Sequence, residues 1–206
     1  MNTEKTINMI FENLTDWSNI PKYQLERRID IFFTPYLETI INHHYGEKGF
    51  HPDLIIPEFP LKKDCSNRSS NIDYFLCDFE RAHICLLELK TNKKSFDPVQ
   101  LRNMIDASLN DVAMIVNNIR KIKKTTRQKE KYKKLIEKIE SISDQKRYLM
   151  DVVYIYPDKE IEDEYAQNSK DKYSVISFDC IAIILENIKN DLIAQKLCSL
   201  IKGISK

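Results

Sequence analysis

Between Lys22 and Tyr45, apolar residues recur at Leu25, Ile29, Phe33, Leu37, Ile40 and Ile41. This three-to-four spacing marks one face of a helix and predicts a long amphipathic helix over Lys22 to Tyr45, stopped by Gly46. A shorter helix is expected before it, around Thr3 to Leu14, ahead of a break at Pro21. DLIIPEFPLKK is a strand candidate whose prolines, 57 and 60, place it at a sheet edge. The polar stretch Asp64 to Ser70 reads as a loop. NIDYFLCDF and AHICLLELK are two β-rich runs separated by Glu80 and Arg81, the pattern of a hairpin. Asp97 caps a helix with Pro98 at its first position, and helical periodicity continues through VQLRNMIDASLNDVAMIVNNI. Another helix is expected between Arg127 and Ile142, strands at YLMDVVYIYP and YSVISF on either side of an acidic loop from Asp158 to Glu164, and a last helix from an Asp179 cap through Leu200. The order helix, strands, helices, strand, strand, helix predicts an α/β fold with a mixed central β-sheet flanked by helices.

Length and charge narrow the picture. The 206 residues suit a single domain spanning 1–206. Lysine and arginine (32) nearly balance aspartate and glutamate (31), so no global field draws the chain to a polyanion or an anionic membrane, and any such site must be local. MNTEKTINMIFENLTDW lacks the pattern of a secretory leader, and no apolar run reaches membrane-spanning length. Cysteines 65, 77, 85, 180 and 198 form no CxxC pair, which suits reduced thiols. These features lead us to expect a cytoplasmic protein without a membrane partner; a homo-oligomer stays open.

The chemistry concentrates in the hairpin. Side chains alternate along a strand, so Glu88 and Lys90 point one way while Leu87 and Leu89 point the other. If the chain turns at Glu80 and Arg81, Phe79 faces Ala82 and, counting back, Asp73 faces Glu88 with Cβ atoms roughly 4.5 to 5.5 Å apart. Two carboxylates so close repel unless a cation sits between them, and Mg²⁺ is commonly held by one or two carboxylates with positions left for water and a phosphate. Removal of either acid is therefore expected to leave the fold intact or more stable. Lys90 can orient the attacking water or offset charge on the phosphorane. The bland alternative is an exposed sheet face with a lysine-paired acid cluster; the apolar LLEL run around Glu88 argues against it.

Asp73, a 14-residue gap and then Glu88-Leu89-Lys90 resembles the PD-(D/E)xK nuclease superfamily. The resemblance covers roughly Tyr23 to Phe178, with Ile72 where the name-giving motif has proline. It implies a restriction-endonuclease-like core and a metal-dependent nuclease acting on phosphodiesters, most readily in DNA. It further implies Mg²⁺ or Mn²⁺ held by Asp73, Glu88 and the Leu89 carbonyl, with Lys90 positioning the water. Cleavage of RNA stays open, as does an inactive platform binding nucleic acid or protein. Members often place a further acid on the first helix. Glu26 lies roughly 40° from the centre of the predicted apolar face and Glu38 about 160°, so Glu26 is the candidate, with Asp30 second. Gln100, in the first turn of the helix after the hairpin, is similar to a glutamine that some branches place beside the metal; a surface helix residue is the equal alternative.

RKIKKTTRQKEKYKK, from Arg120 to Lys134, carries nine basic residues and one acidic. Arg120, Lys121, Lys123, Lys124 and Arg127 are candidates to track a phosphate backbone, with a solvated helix face equally compatible. His51-Pro52-Asp53 resembles the J-domain tripeptide but lacks that module's two flanking helices. His43 and His44 read as capping or surface residues, and Cys77 and Cys85 as core thiols.

Overall fold

The structure is a computed structural model and describes residues 2–46, 49–62, 69–143 and 147–204. In chain order the elements are α1 (Thr3–Ser18), α2 (Glu26–Phe33), α3 (Leu37–Tyr45), β1 (Leu54–Lys62), β2 (Ser69–Asp78), β3 (His83–Leu89), α4 (Pro98–Ser108), α5 (Val112–Thr125), α6 (Lys129–Ser143), β4 (Leu149–Tyr156), α7 (Glu164–Gln167), β5 (Ser174–Ser177), α8 (Phe178–Glu186) and α9 (Leu192–Ile204). One five-stranded sheet runs in the order β1-β2-β3-β4-β5. The first three strands are antiparallel, whereas β4 and β5 lie parallel to β3. The proline-bearing β1 is an edge strand, since a residue without an N–H cannot complete a central ladder.

Two cores sandwich the sheet. Leu76, Cys85, Leu87, Leu89, Val153 and Ile155 pack against α1, α2, α3, α8 and α9. Phe75, Cys77, Ile84, Leu86, Val152 and Tyr154 pack against α4, α5, α6 and α7. Because β3 and β4 are buried on both faces, they read as continuous apolar runs. Cys77 and Cys85 are indeed core thiols, one in each layer, and they, Cys180 and Cys198 are free; Cys65 lies outside the described residues. No helix among the described residues is long and apolar enough to cross a membrane.

Three predicted helices are divided. The long helix over Lys22 to Tyr45 is α2, a 3₁₀ turn at Thr34–Tyr36 and α3. Pro35 accounts for the break, since its ring displaces the carbonyl four residues back and it has no N–H to donate. Ile29, Phe33, Leu37, Ile40 and Ile41 nevertheless stay on one buried stripe, and Gly46 ends α3 at φ 60°. The predicted helix after Pro98 is cut at Asp111, whose carboxylate takes the Met114 N–H at 2.6 Å and starts α5. At the C-terminal end Ser177, not Asp179, is the cap: its hydroxyl accepts the Cys180 N–H at 3.2 Å. That helix stops at Glu186, and Asp191 starts α9 by taking the Ala194 N–H at 3.0 Å. Side-chain capping by aspartate or serine competes with helix continuation at each new start. Of the predicted Asp64 to Ser70 loop, 64–68 lie outside the described residues and Ser69 and Ser70 already belong to β2.

Asp78, at the end of β2, is fully buried and ties the hairpin to the segment entering β1. It accepts the His51 and Arg81 backbone N–H groups, both at 2.9 Å, and the Arg81 guanidinium at 3.1 Å. Burial alone would raise its carboxyl, but these donors hold it below the ordinary value. Replacing it by alanine leaves buried donors without an acceptor and is expected to cost about 2 kcal/mol, read as a lowered urea midpoint.

Candidate metal centre

The β2–β3 ladder places Tyr74 opposite Leu87 and Asp78 opposite His83, the register expected from a turn at Glu80 and Arg81. Just beyond its last pair lie Asp73 and Glu88. Asp73 Oδ2 accepts the Leu89 N–H at 2.7 Å, and the Asp73 N–H reaches Glu88 Oε2 at 3.3 Å. Alternation sends Leu87 and Leu89 into the first core, leaving Glu88 and Lys90 on the other side. The Lys90 N–H bonds the Ile155 carbonyl at 2.8 Å, which carries the β3–β4 pairing one residue past β3 and fixes the base of the lysine side chain.

Lys90 Nζ sits 2.6 Å from Glu88 Oε1 and 3.5 Å from Glu26 Oε1, the latter reaching in from the first turn of α2. Carboxylate oxygens of Glu26, Asp73 and Glu88 all lie within 4.8 Å of one another. A carboxylate in a first helical turn also meets the positive end of the helix dipole. Three acids thus converge from three elements on a cleft of about 430 Å³, which Arg27, Asp30, Glu58, Ser69, Asn71, Lys90 and Gln100 also line. The cluster grades from closed to open: the Glu88 side chain is 3% exposed, that of Glu26 26%. It is not a solvated sheet face.

The electrostatics show a deficit of positive charge. Burial first, then Glu88, pushes the Asp73 carboxyl up to about 8, despite the Leu89 N–H. Burial also raises Glu88, with Lys90 opposing it. Desolvation would lower Lys90, but Glu88 and Glu26 outweigh it and hold the ammonium above its ordinary range. One lysine therefore answers three acids, and burial pushes the carboxyls of two of them, Asp73 and Glu88, above their ordinary values. Clustered hard oxygen donors short of positive charge are what a divalent cation neutralises, and Glu26, Asp73 and Glu88 could hold one metal ion between them. No protein-family model, curated protein or solved structure matches this chain. The site's own geometry must carry the functional argument.

Asp30, the second choice for the helical acid, lines the cleft but stands outside the three-acid cluster; its carboxylate accepts the Ile31 N–H at 2.6 Å. Gln100 reaches the cleft from the first turn of α4, donates to the Asn71 carbonyl at 3.1 Å and hydrogen-bonds Glu88. Arg120, Lys121, Lys123, Lys124 and Arg127 do not line the cleft, and Arg120 is engaged by Glu140 at 2.7 Å across α5 and α6.

Arg27, Glu58, Ser69 and Asn71 line the cleft without having been singled out from sequence, and Glu58 is the acid among them. Pro57 pairs with Tyr74 and Phe59 with Ile72, so Glu58 stands level with Asp73. It holds φ at 52°, a strained value for glutamate. At this level both strands change the side they present: Ile56 and Phe75 join the second core on one side of the kink, Phe59, Leu61 and Ile72 on the other. The broken alternation opens the sheet beside Asp73. Only the β1–β2 register reveals this, and no turn signal in the sequence sets that register.

Proposed function

We propose that this chain is a metal-dependent nuclease of the PD-(D/E)xK type, hydrolysing phosphodiester bonds, most readily in DNA. One observation carries the reading: Glu26, Asp73 and Glu88 meet within 4.8 Å in an open cleft, with the Lys90 ammonium 2.6 Å from Glu88. The order of helix, antiparallel meander, crossing helix and parallel fourth strand supports a restriction-endonuclease-like core for the same reading.

Asp73 and Glu88 would hold the cation, Mg²⁺ or Mn²⁺, with Glu26 and the Leu89 carbonyl as further ligands. When bound, such an ion polarises a phosphoryl oxygen and makes a bound water more acidic. The chain's part is then distinct for each residue. Asp73 is oriented by the Leu89 N–H, so its second oxygen is free for the ligand role. Lys90, rooted in the β3–β4 pairing, presents Nζ as a hydrogen-bond donor to the attacking water and as a positive charge against the phosphate oxygens. Gln100 steadies the Glu88 carboxylate. The cleft lining holds five carboxylates against Arg27 and Lys90, so a polyanion enters only once cationic charge has been added.

The test is incubation of supercoiled DNA, linear DNA and RNA with the protein in Mg²⁺, Mn²⁺ or EDTA. Cation-dependent nicking is the expected result, and its absence in Asp73→Asn assigns it to this cleft. A wild type that cuts neither nucleic acid in either cation would hand the fold to the alternative of a binding platform without turnover.

A further inference from the structure

We infer that the surface joining α1 to α2 is a stacking platform that captures single-stranded nucleic acid and feeds it into the three-acid cleft. The inference rests on the nuclease reading for the fate of the strand, not for its capture.

Trp17 is the only tryptophan in the chain, and it stands 46% exposed near the end of α1. Tyr23 packs edge-on against it with ring centroids 6.1 Å apart. Tyr23 is half-buried and packs against the first core, so it backs the indole, while nearly half of Trp17 and, beside it, 53% of Ile20 stay open to water. The two rings are held together by a tight turn: Tyr23 N–H bonds the Ile20 carbonyl at 3.1 Å, and Ile20 N–H bonds the Trp17 carbonyl at 2.9 Å. Lys22 takes φ 67° inside that turn, a position usually given to glycine or asparagine. An exposed lysine is thereby held in the turn that joins Trp17 to Tyr23.

Charge points to the occupant. Lys22, Arg27 and Arg28 are exposed, and among the described residues none makes an ion pair or a side-chain hydrogen bond. Asp16 and the cluster's own Glu26 are the acids on the same stretch. Arg27 lines the cleft, directly after Glu26. Three residues lie between Tyr23 and Arg27, a span of at most about 14 Å when extended, so the rings and Glu26 of the cluster fall within a short footprint. An exposed aromatic ring beside unpaired cations is how proteins hold unpaired strands: a base stacks on the ring while the backbone follows the charges, and here Trp17 offers the ring with Tyr23 behind it. A duplex hides its base faces in its own stack and has nothing to offer Trp17. The platform therefore selects a single strand, a flap or a frayed end.

The experiment is fluorescence anisotropy of a labelled oligothymidylate and of a duplex of equal length, in EDTA so that no turnover intervenes. The wild type is expected to bind the single strand more tightly. Trp17→Ala and Tyr23→Ala should each weaken that binding roughly 5- to 150-fold, the worth of one base–aromatic stack, with Trp17→Phe keeping most of the affinity and the duplex unaffected. Lys22→Ala should flatten the salt dependence. In Mg²⁺ the expected signature of Trp17→Ala is a higher KM for single strands at unchanged kcat. Single-strand affinity that is equal in wild type, Trp17→Ala and Tyr23→Ala overturns the platform, as does duplex bound as tightly as single strand, whether or not the protein cuts. Trp17-dependent capture without cutting in any cation overturns the nuclease reading instead and leaves the platform standing.

Discussion

Asp73→Asn abolishes cation-dependent cleavage and, in the metal-free protein, removes a pH dependence of stability that the wild type shows. The amide keeps the acceptor oxygen for the Leu89 N–H, 2.7 Å away in the wild type, and loses only the charge. The folded carboxyl titrates near 8, well above the ordinary 3.8, because it is buried and faces Glu88. Between about pH 4 and pH 8 the folded protein therefore keeps a proton that the unfolded chain has lost. Stability falls as pH rises through that window, since the folded state binds more protons. Asparagine cannot titrate, so its melting temperature should be flatter over the same range, with a gain on the order of a few kcal/mol at the alkaline end. Divalent-metal affinity of the wild type should run the other way and increase towards pH 8, because a ligating carboxylate must release its proton. Thermal melts in EDTA across pH 4 to 8, with calorimetric Mn²⁺ titrations, read both slopes. An Asp73→Asn protein with the wild-type pH slope would mean that the charge deficit lies elsewhere.

Lys90→Met destabilises the metal-free protein by about 3 to 5 kcal/mol, the cost of removing one partner from a buried ion pair. Among the described residues its ammonium is the only cation paired with Glu88 and Glu26, and methionine preserves the apolar stem while stranding both acids. Mg²⁺ should restore more stability to this variant than to the wild type, since the ion replaces the missing charge. Cleavage should stay lost, because the ammonium acts on water and phosphate. Chemical denaturation with and without Mg²⁺ checks this; equal stabilisation of both proteins would remove Lys90 from the cluster's charge balance. The same geometry corrects an expectation drawn from sequence, in which removal of either Asp73 or Glu88 relieves a repelling pair. For Asp73, whose carboxyl is pushed up by burial and by Glu88, the expectation is kept. Glu88 is the closest partner of Lys90, so its loss strands a buried ammonium and should cost stability.

What the sequence determined by itself is local and periodic. The turn at Glu80 and Arg81, set between two β-rich runs, fixed which residue of β2 faces which of β3, and a period of two then put Asp73, Glu88 and Lys90 on one side. Helical periodicity singled out Glu26 over Glu38, because a carboxylate near a buried stripe is an exception that the stripe makes visible; Glu38 indeed points outward, to His51 at 2.9 Å. Composition and strand prolines were enough to place β1 at an edge. Long periodic stripes hid the chain's interruptions, because Pro35, Asp111 and Asp191 change the backbone without disturbing which side chains are apolar. The tertiary structure alone decided the rest. Pairing of β1 with β2 brought Glu58 level with Asp73, packing of α2 on the sheet brought Glu26 to Lys90, and closure of helices over both faces buried Glu88. Each of these depends on contacts between residues far apart in sequence. Desolvation, which turns three ordinary acids into a site short of positive charge, exists only once those contacts have formed.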